Sequence, residues 1–325
     1  MIEVRNVFKQ YGNVTALDDV SFTVNEGEIV GFLGPNGAGK STMMNIITGY
    51  LSSTSGEASV CGIDVLENPD EAKKKIGYLP EQPPLYREMK VSEYLNFVYD
   101  LKKCTLNRKA HLDEIMAVTK IANVKGRVIG NLSKGYRQRV GIAQALVGNP
   151  PVMIFDEPTV GLDPKQIIEI RNLIRNLGKN HTVILSTHIL SEVRSVCDRI
   201  LIINEGRLIA DEKTENIARA AASDRKYTVK VAGPRRDVLR ELRALNGVRL
   251  AEDTGDGDAD GAVFAVEAER GIDIRKQMFN MLAAKGWPIM ELTPRGMSLE
   301  EVFVMITDED ERRRTAPGTR GGREG

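Results

Sequence analysis

Between Val30 and Thr42 the chain reads Val-Gly-Phe-Leu-Gly-Pro-Asn-Gly-Ala-Gly-Lys-Ser-Thr, a stretch that leaves few folds open. An apolar run from Ile29 to Leu33 precedes the loop and a helix-like segment from Thr42 to Thr48 follows it, which predicts strand, loop and helix in that order. Gly34, four intervening residues, Gly39, Lys40 and Ser41 match the G-x-x-x-x-G-K-[ST] spacing. Glycines there let the backbone turn so that several N–H groups point into one concavity, and the following helix places its positive dipole end in the same place. A concavity running from Gly34 through Pro35, Asn36, Gly37, Ala38 and Gly39 suits the phosphates of a nucleotide. Lys40 would reach the outer phosphates, and the Ser41 hydroxyl would ligate magnesium. An ordinary Gly-rich turn has no need of the Lys-Ser pair.

A chain of 325 residues has room for one large domain or two. Lys+Arg and Asp+Glu both number 45, so net charge gives no broad reason to expect a nucleic-acid partner. Cys61, Cys104 and Cys197 form no C-x-x-C pair and no even set, which fits a reducing compartment and thiols that serve only as small side chains. The amino terminus lacks a basic-then-apolar leader pattern, and no unbroken apolar run approaches the ~20 residues of a membrane helix. A soluble chain is expected, with any membrane role exercised through a partner.

Taken in order, residues 2 to 33 read as short strands joined by turns, with Tyr11 in the first of these. By residue pattern alone Tyr11 is a core or turn tyrosine, although an aromatic ring there can also stack on a base. Ser52 to Gly56 and Asn68-Pro69 read as punctuation, and Ile76 to Leu79 as a strand. Apolar spacings of three and four from Val91 to Leu101 and from His111 to Ile121 predict a helical subdomain, with His111 solvated. Ser133, in Leu132-Ser-Lys-Gly-Tyr136, is placed to cap a helix carrying Val140, Ala143 and Leu146.

Val152 to Phe155 looks like a buried parallel strand, and it ends in Asp156-Glu157. Acids at such an end lie where α/β sheets bind ligands, although a capping acid followed by a solvated one reads the same way. Gly161 to Pro164 opens an amphipathic helix with Ile167, Ile170, Ile174 and Leu177 on one side. Thr182 to Ser186 is a second buried strand, followed by His188.

Beyond a linker near 218–225 the texture changes to β-α-β-β-α-β, the order of a ferredoxin-like unit, ending in a helix from Leu299 to Ile306 behind the capping box Ser298-x-x-Glu301. Residues 307–325, rich in acids, arginines and glycines, are expected to be disordered. Asp256, Asp258, Asp260, Gly261 and Glu267 fit the D-x-D-x-D-G-x5-E calcium pattern, but strand-like flanks favour an acidic hairpin loop instead.

With these motifs in order, the chain resembles the ATP-binding subunits of ABC transporters over residues 1 to about 215. The resemblance implies an α/β P-loop NTPase of the ABC type in residues 1–220, with a helical subdomain at about 88–135. A small ferredoxin-like α+β accessory domain follows at 225–306, similar through Ser298-Leu-Glu-Glu-Val-Phe303 to an appendage of exporter subunits. Tyr11 is similar to the family's adenine-stacking aromatic, Gly34 to Thr42 to its Walker A, and Leu132 to Tyr136, with Ser133 and Gly135, to its signature. Asp156 and Glu157 resemble the Walker B acid and catalytic glutamate, Val160 to Asp163 the D-loop, and His188 the switch histidine. Lys134 and Tyr136 stand where the commonest signature has Gly and Gln. At the position of the magnesium-contacting glutamine, register points to Glu81, with Gln82 one place late.

From the resemblance and from the needs of phosphoryl transfer, the catalytic set is Glu157, His188 and Lys40, with ATP as ligand and Mg2+ held by Ser41, Asp156 and Glu81. Ser133 and Gly135 would reach the γ-phosphate from a second ATP-binding subunit, in a homodimer. The expected partner is a separate transmembrane permease engaged through Glu81 to about Tyr94. The chain would then be cytoplasmic, peripheral on the inner membrane face, and would energise export. The alternative, a soluble ATPase of this fold acting on nucleic acid or ribosomes, lacks the long coiled coil, tandem cassette or basic stripe expected of it.

Overall fold

A computed structural model describes residues 1–216, 226–269 and 272–295. The chain divides into two compact units, Met1–Thr214 and Glu215–Gly325. In the first, β1 (Ile2–Tyr11), β2 (Val14–Val24) and β3 (Ile29–Leu33) lead into α1 (Lys40–Ile47), followed by β4 (Ser55–Val60), β5 (Ile63–Asp64), α2 (Pro69–Lys74) and β6 (Ile76–Leu79). Then come α3 (Val91–Leu101), α4 (Arg108–Val118), α5 (Lys134–Leu146), β7 (Val152–Asp156), α6 (Pro164–Leu177) and β8 (Thr182–Thr187). The unit closes with α7 (Leu190–Val196), β9 (Arg199–Asn204) and β10 (Arg207–Lys213).

Two sheets form this unit. One is antiparallel in the order β2-β1-β4-β5; the other runs β10-β9-β3-β8-β7-β6 and is parallel except for β10. Strands β3, β7 and β8 are buried at every position, as expected of a parallel sheet covered on both faces, and their apolar runs follow from that. Helix α1 buries Met43, Met44, Ile46 and Ile47 in a core that also takes Val4 and Val7 of β1, Phe32 of β3 and Ile154 of β7. Helix α6 buries Ile170, Leu173, Ile174 and Leu177 behind its cap Asp163, whose carboxylate accepts from Gln166 N at 2.9 Å.

Ser55 belongs to β4 rather than to punctuation: Val60 pairs with Ile2 and Glu57 with Arg5 of β1. His111 is not solvated. It is 9% exposed, and its Nε2 accepts from the Gly148 N–H at 3.0 Å, which joins α4 to the turn after α5.

The second unit contains β11 (Lys226–Val231), α8 (Arg235–Ala244), β12 (Val248–Asp258), β13 (Gly261–Ala268), α9 (Arg275–Ala284) and β14 (Ile289–Arg295). Its sheet is antiparallel in the order β12-β13-β11-β14, with a core of Tyr227, Val229, Val231, Val238, Leu242, Phe264, Met278 and Leu282. The acidic stretch is the β12–β13 hairpin. Lys230 Nζ lies 2.7 Å from Asp258, whose Oδ1 also accepts from Asp260 N at 2.9 Å, and Arg249 pairs with Glu267. Both flanks are strands, and no group of three metal-ligating side chains forms among the described residues. The linker at 218–225, the helix expected over Leu299–Ile306 with Ser298 and Glu301, and the tail at 307–325 lie outside the described residues.

Candidate nucleotide-binding site

Four neighbouring parallel strands, β3, β8, β7 and β6, all end at the same edge of the sheet. From those ends emerge the Gly34 loop, His188, Glu157 and Glu81. They line one cleft of about 380 Å³ together with Asn36, Gly37, Gly39, Lys40, Ser41 and Thr42. Val160, the first residue of the D-loop-like stretch, and Ala16 of β2 also line it, and Ala16 carries no sequence signal that could have identified it.

The loop needs its glycines for two separate reasons. A Cβ on Gly34 would lie 2.4 Å from the Ile203 carbonyl oxygen, so close approach excludes any side chain. Gly39, the residue before α1, has φ 104°, and a Cβ there would also meet Ala16 O at 2.6 Å. Lys40 is 6% exposed; its ammonium donates to Gly34 O at 2.8 Å and Pro35 O at 3.1 Å, and lies 3.6 Å from Glu157 Oε1. Pro35 and Ala38 shape the loop without lining the cleft.

Asp156 is buried at the last position of β7, where Oδ1 accepts from Ser186 Oγ at 2.7 Å. Burial, with Asp156 second, pushes the Tyr78 phenol up, so the hydroxyl stays a neutral donor, 3.4 Å from Asn45 Oδ1. Glu157 occupies the left-handed region at φ 48°, a conformation that costs a non-glycine residue about 1 kcal/mol. Its N–H donates to Ser186 O at 2.9 Å, and both carboxylate oxygens lie 3.0 Å from His188 Nδ1. The available metal donors, the Ser41 hydroxyl and the carboxylates of Asp156 and Glu81, are hard oxygen ligands of the type Mg2+ takes. Glu81 lines the cleft and Gln82 does not.

Asp156, 2% exposed, does not line the cleft, and two further sets of predicted residues stand apart from it. Tyr11 ends β1, is 47% exposed, and carries Lys9 Nζ 5.1 Å from its ring centroid. Ser133 and Gly135 line a different groove with Tyr136, Arg139, Gln166 and Glu169. Ser133 caps α5, accepting from Tyr136 N at 3.4 Å. Lys134, at the atypical signature position, sets its ammonium against Gly161, where a Cβ would lie 2.2 Å from Nζ.

Residues 17–160 match the family model described as ABC transporter. The chain is 39% identical over 221 residues to the uncharacterized ABC transporter ATP-binding protein YhcH of Bacillus subtilis (strain 168), covering 67% of this chain and 72% of that protein. It is 35% identical over 229 residues to the bacitracin transport ATP-binding protein BcrA of Bacillus licheniformis, covering 70% and 73%. Among solved structures it is similar to the dimeric post-hydrolysis state of the ATP-binding cassette MJ0796 bound to ADP and Pi. The TM-score there is 0.60 at 31% identity, over 66% of this chain and 99% of that one. A phosphate loop, two acids and a histidine on one sheet edge, with the signature serine on another face, thus accompany a family match on sequence and on fold. The chain belongs to the ABC transporter family, as an ATP-binding subunit that hydrolyses ATP.

Proposed function

We propose that this subunit energises export through a separate transmembrane permease, and that two copies close on ATP to do so. Similarity to BcrA, a bacitracin transport protein, supports export. No described helix is long and apolar enough to cross a membrane, so the permease would supply the membrane passage and hold this subunit at the cytoplasmic face. Residues from Glu81 to about Tyr94 are the proposed contact; within them the exposed Tyr86 pairs with Phe97, three residues beyond that stretch, with ring centroids 5.3 Å apart. We read the second unit as a ferredoxin-like accessory domain of the exporter type.

The observation that carries the two-copy reading is the separation of Ser133 and Gly135 from the Lys40 cleft. The loop from Gly34 to Thr42 would hold the phosphates, Tyr11, which stands apart from the cleft at the end of β1, would stack on an adenine extending beyond it, and Ser41, Asp156 and Glu81 would hold Mg2+. When bound, that ion neutralises charge developing on the transferring phosphoryl group. Lys40 exchanges its contacts with Gly34 O, Pro35 O and Glu157 for phosphate oxygens, which frees the Glu157 carboxylate to orient water. His188 holds the γ-phosphate beside Glu157. Ser133 and Gly135 of a second copy then complete the site across the nucleotide.

Glu157→Gln keeps the shape of the side chain and removes its basicity. Turnover is expected to fall by about a hundredfold or more, with ATP affinity retained, in steady-state ATPase and fluorescent-nucleotide titrations. A variant keeping most of its ATPase rate would remove Glu157 from this role.

A further inference from the structure

Glu192, on α7, is 1% exposed, although a buried carboxylate costs several kcal/mol unless its oxygens are satisfied. Three elements converge on it. The Thr159 hydroxyl lies 2.7 Å from both carboxylate oxygens, the Thr187 hydroxyl donates to Oε2 at 3.1 Å, and Arg171 Nη2 of α6 lies 3.5 Å from Oε1. Thr159 is two residues past Glu157, and Thr187 directly precedes His188. The Thr187 oxygen also accepts from Ile189 N at 3.1 Å, so it ties down both sides of the histidine. The Arg171 Nε is buried without a partner, so this guanidinium is incompletely used where it stands. An apolar side chain would fill the same space at lower cost, but it would hold neither hydroxyl.

We propose that Glu192 is a positioning residue of the ATPase reaction, its buried carboxylate fixing the turn after Glu157 and the strand end before His188 in one register. The left-handed backbone at Glu157 needs restraint on both sides. Ser186 O supplies it from β8 through the Glu157 N–H, and Glu192 supplies it from α7 through Thr159. The 3.0 Å approach of His188 Nδ1 to the Glu157 carboxylate is set by these two anchors. Released from Glu192, the two loops move independently, and small misplacements of a water-orienting group reduce rate far more than binding. The inference rests on Glu157 orienting the attacking water and His188 holding the γ-phosphate beside it.

The test uses the full chain with Thr159→Val, which removes the hydroxyl at nearly constant volume, Thr159→Ser, which keeps it, Glu192→Gln, and Glu157→Gln as a parallel control. Thr159→Val and Glu192→Gln are expected to lower kcat about tenfold or more. KM for ATP should move less than about threefold, because the phosphate loop is untouched. Thr159→Ser should restore kcat to within about threefold of the parent. Thr159→Val with kcat within about threefold of the parent, a loss that Thr159→Ser does not restore, or a rise in KM matching the fall in kcat would each overturn the proposal. If Glu157→Gln turns over normally, the underlying reading of the pair fails; if it is inactive while Thr159→Val is active, only the role of Glu192 fails.

Discussion

Lys40 and His111 show two ways in which a buried polar side chain is held. Lys40 was legible, because Gly39-Lys-Ser41 follows the spacing of a phosphate loop and the chemistry needs a cation at that position. His111 was not, because its burial depends on the turn after α5, whose Gly148 N–H donates to Nε2. A local window shows only its charged helical neighbours. Burial lowers the pKa of this imidazole from the ordinary value near 6.5, with Glu114 opposing and Lys102 adding to the lowering. The unfolded chain therefore binds the proton before the folded chain does. The stability that the neutral ring contributes is complete above about pH 6.5 and is lost as the pH falls toward the lowered value. The thermal midpoint of the parent should fall more between about pH 7.5 and about pH 5.5 than that of His111→Gln, and equal falls would contradict the assignment.

Among the elements, α5 joins the signature residues at its start to a capped end. Lys102, the residue that closes α3, donates from Nζ to the carbonyl oxygens of Gln144, Ala145 and Val147 at 3.3, 3.2 and 2.9 Å. These are carbonyls at the negative end of the α5 dipole, of which Gln144 O also accepts from the Val147 N–H at 3.3 Å. Lys102→Met keeps much of the aliphatic stem and removes all three bonds. It is expected to cost about 1–3 kcal/mol in urea denaturation, and a change below about 0.5 kcal/mol would show that the cap contributes little. Elements carried by apolar runs were readable: Val152 to Phe155 and Thr182 to Ser186 are buried strands, and Ser133 is the N-cap expected. Strands β4 and β5 were not. Ser55-Gly-Glu-Ala-Ser-Val60 has few strand-forming residues, and its extended state comes from pairing with β1, a partner distant in sequence. Strand flanks around the acidic hairpin were legible, whereas Lys230 and Arg249 as neutralising partners become visible only across the folded sheet.

For the molecule as a whole, one chain gathers the phosphate-loop residues, Glu81, Glu157 and His188 in one cleft, while Ser133 and Gly135 line a separate groove. The cleft could be expected from strand ends alone, since the acids and the histidine follow buried parallel strands. The proposal that Ser133 serves a different copy's cleft has no local sign, because its own groove is lined by Tyr136, Arg139, Gln166 and Glu169; that expectation leans on the resemblance. Glu192 gave no sign either, since an acid in a short helix reads as solvated until α6, α7 and the Thr159 turn close over it. ATP is proposed to join two copies through these separated halves. Sedimentation velocity of Glu157→Gln, expected to hold ATP without consuming it, reads that association. A monomer is expected without nucleotide, a dimer with ATP and Mg2+, and a monomer in both conditions once Ser133→Arg is added. A Glu157→Gln chain that stays monomeric at saturating ATP, or a dimer indifferent to Ser133→Arg, would contradict it.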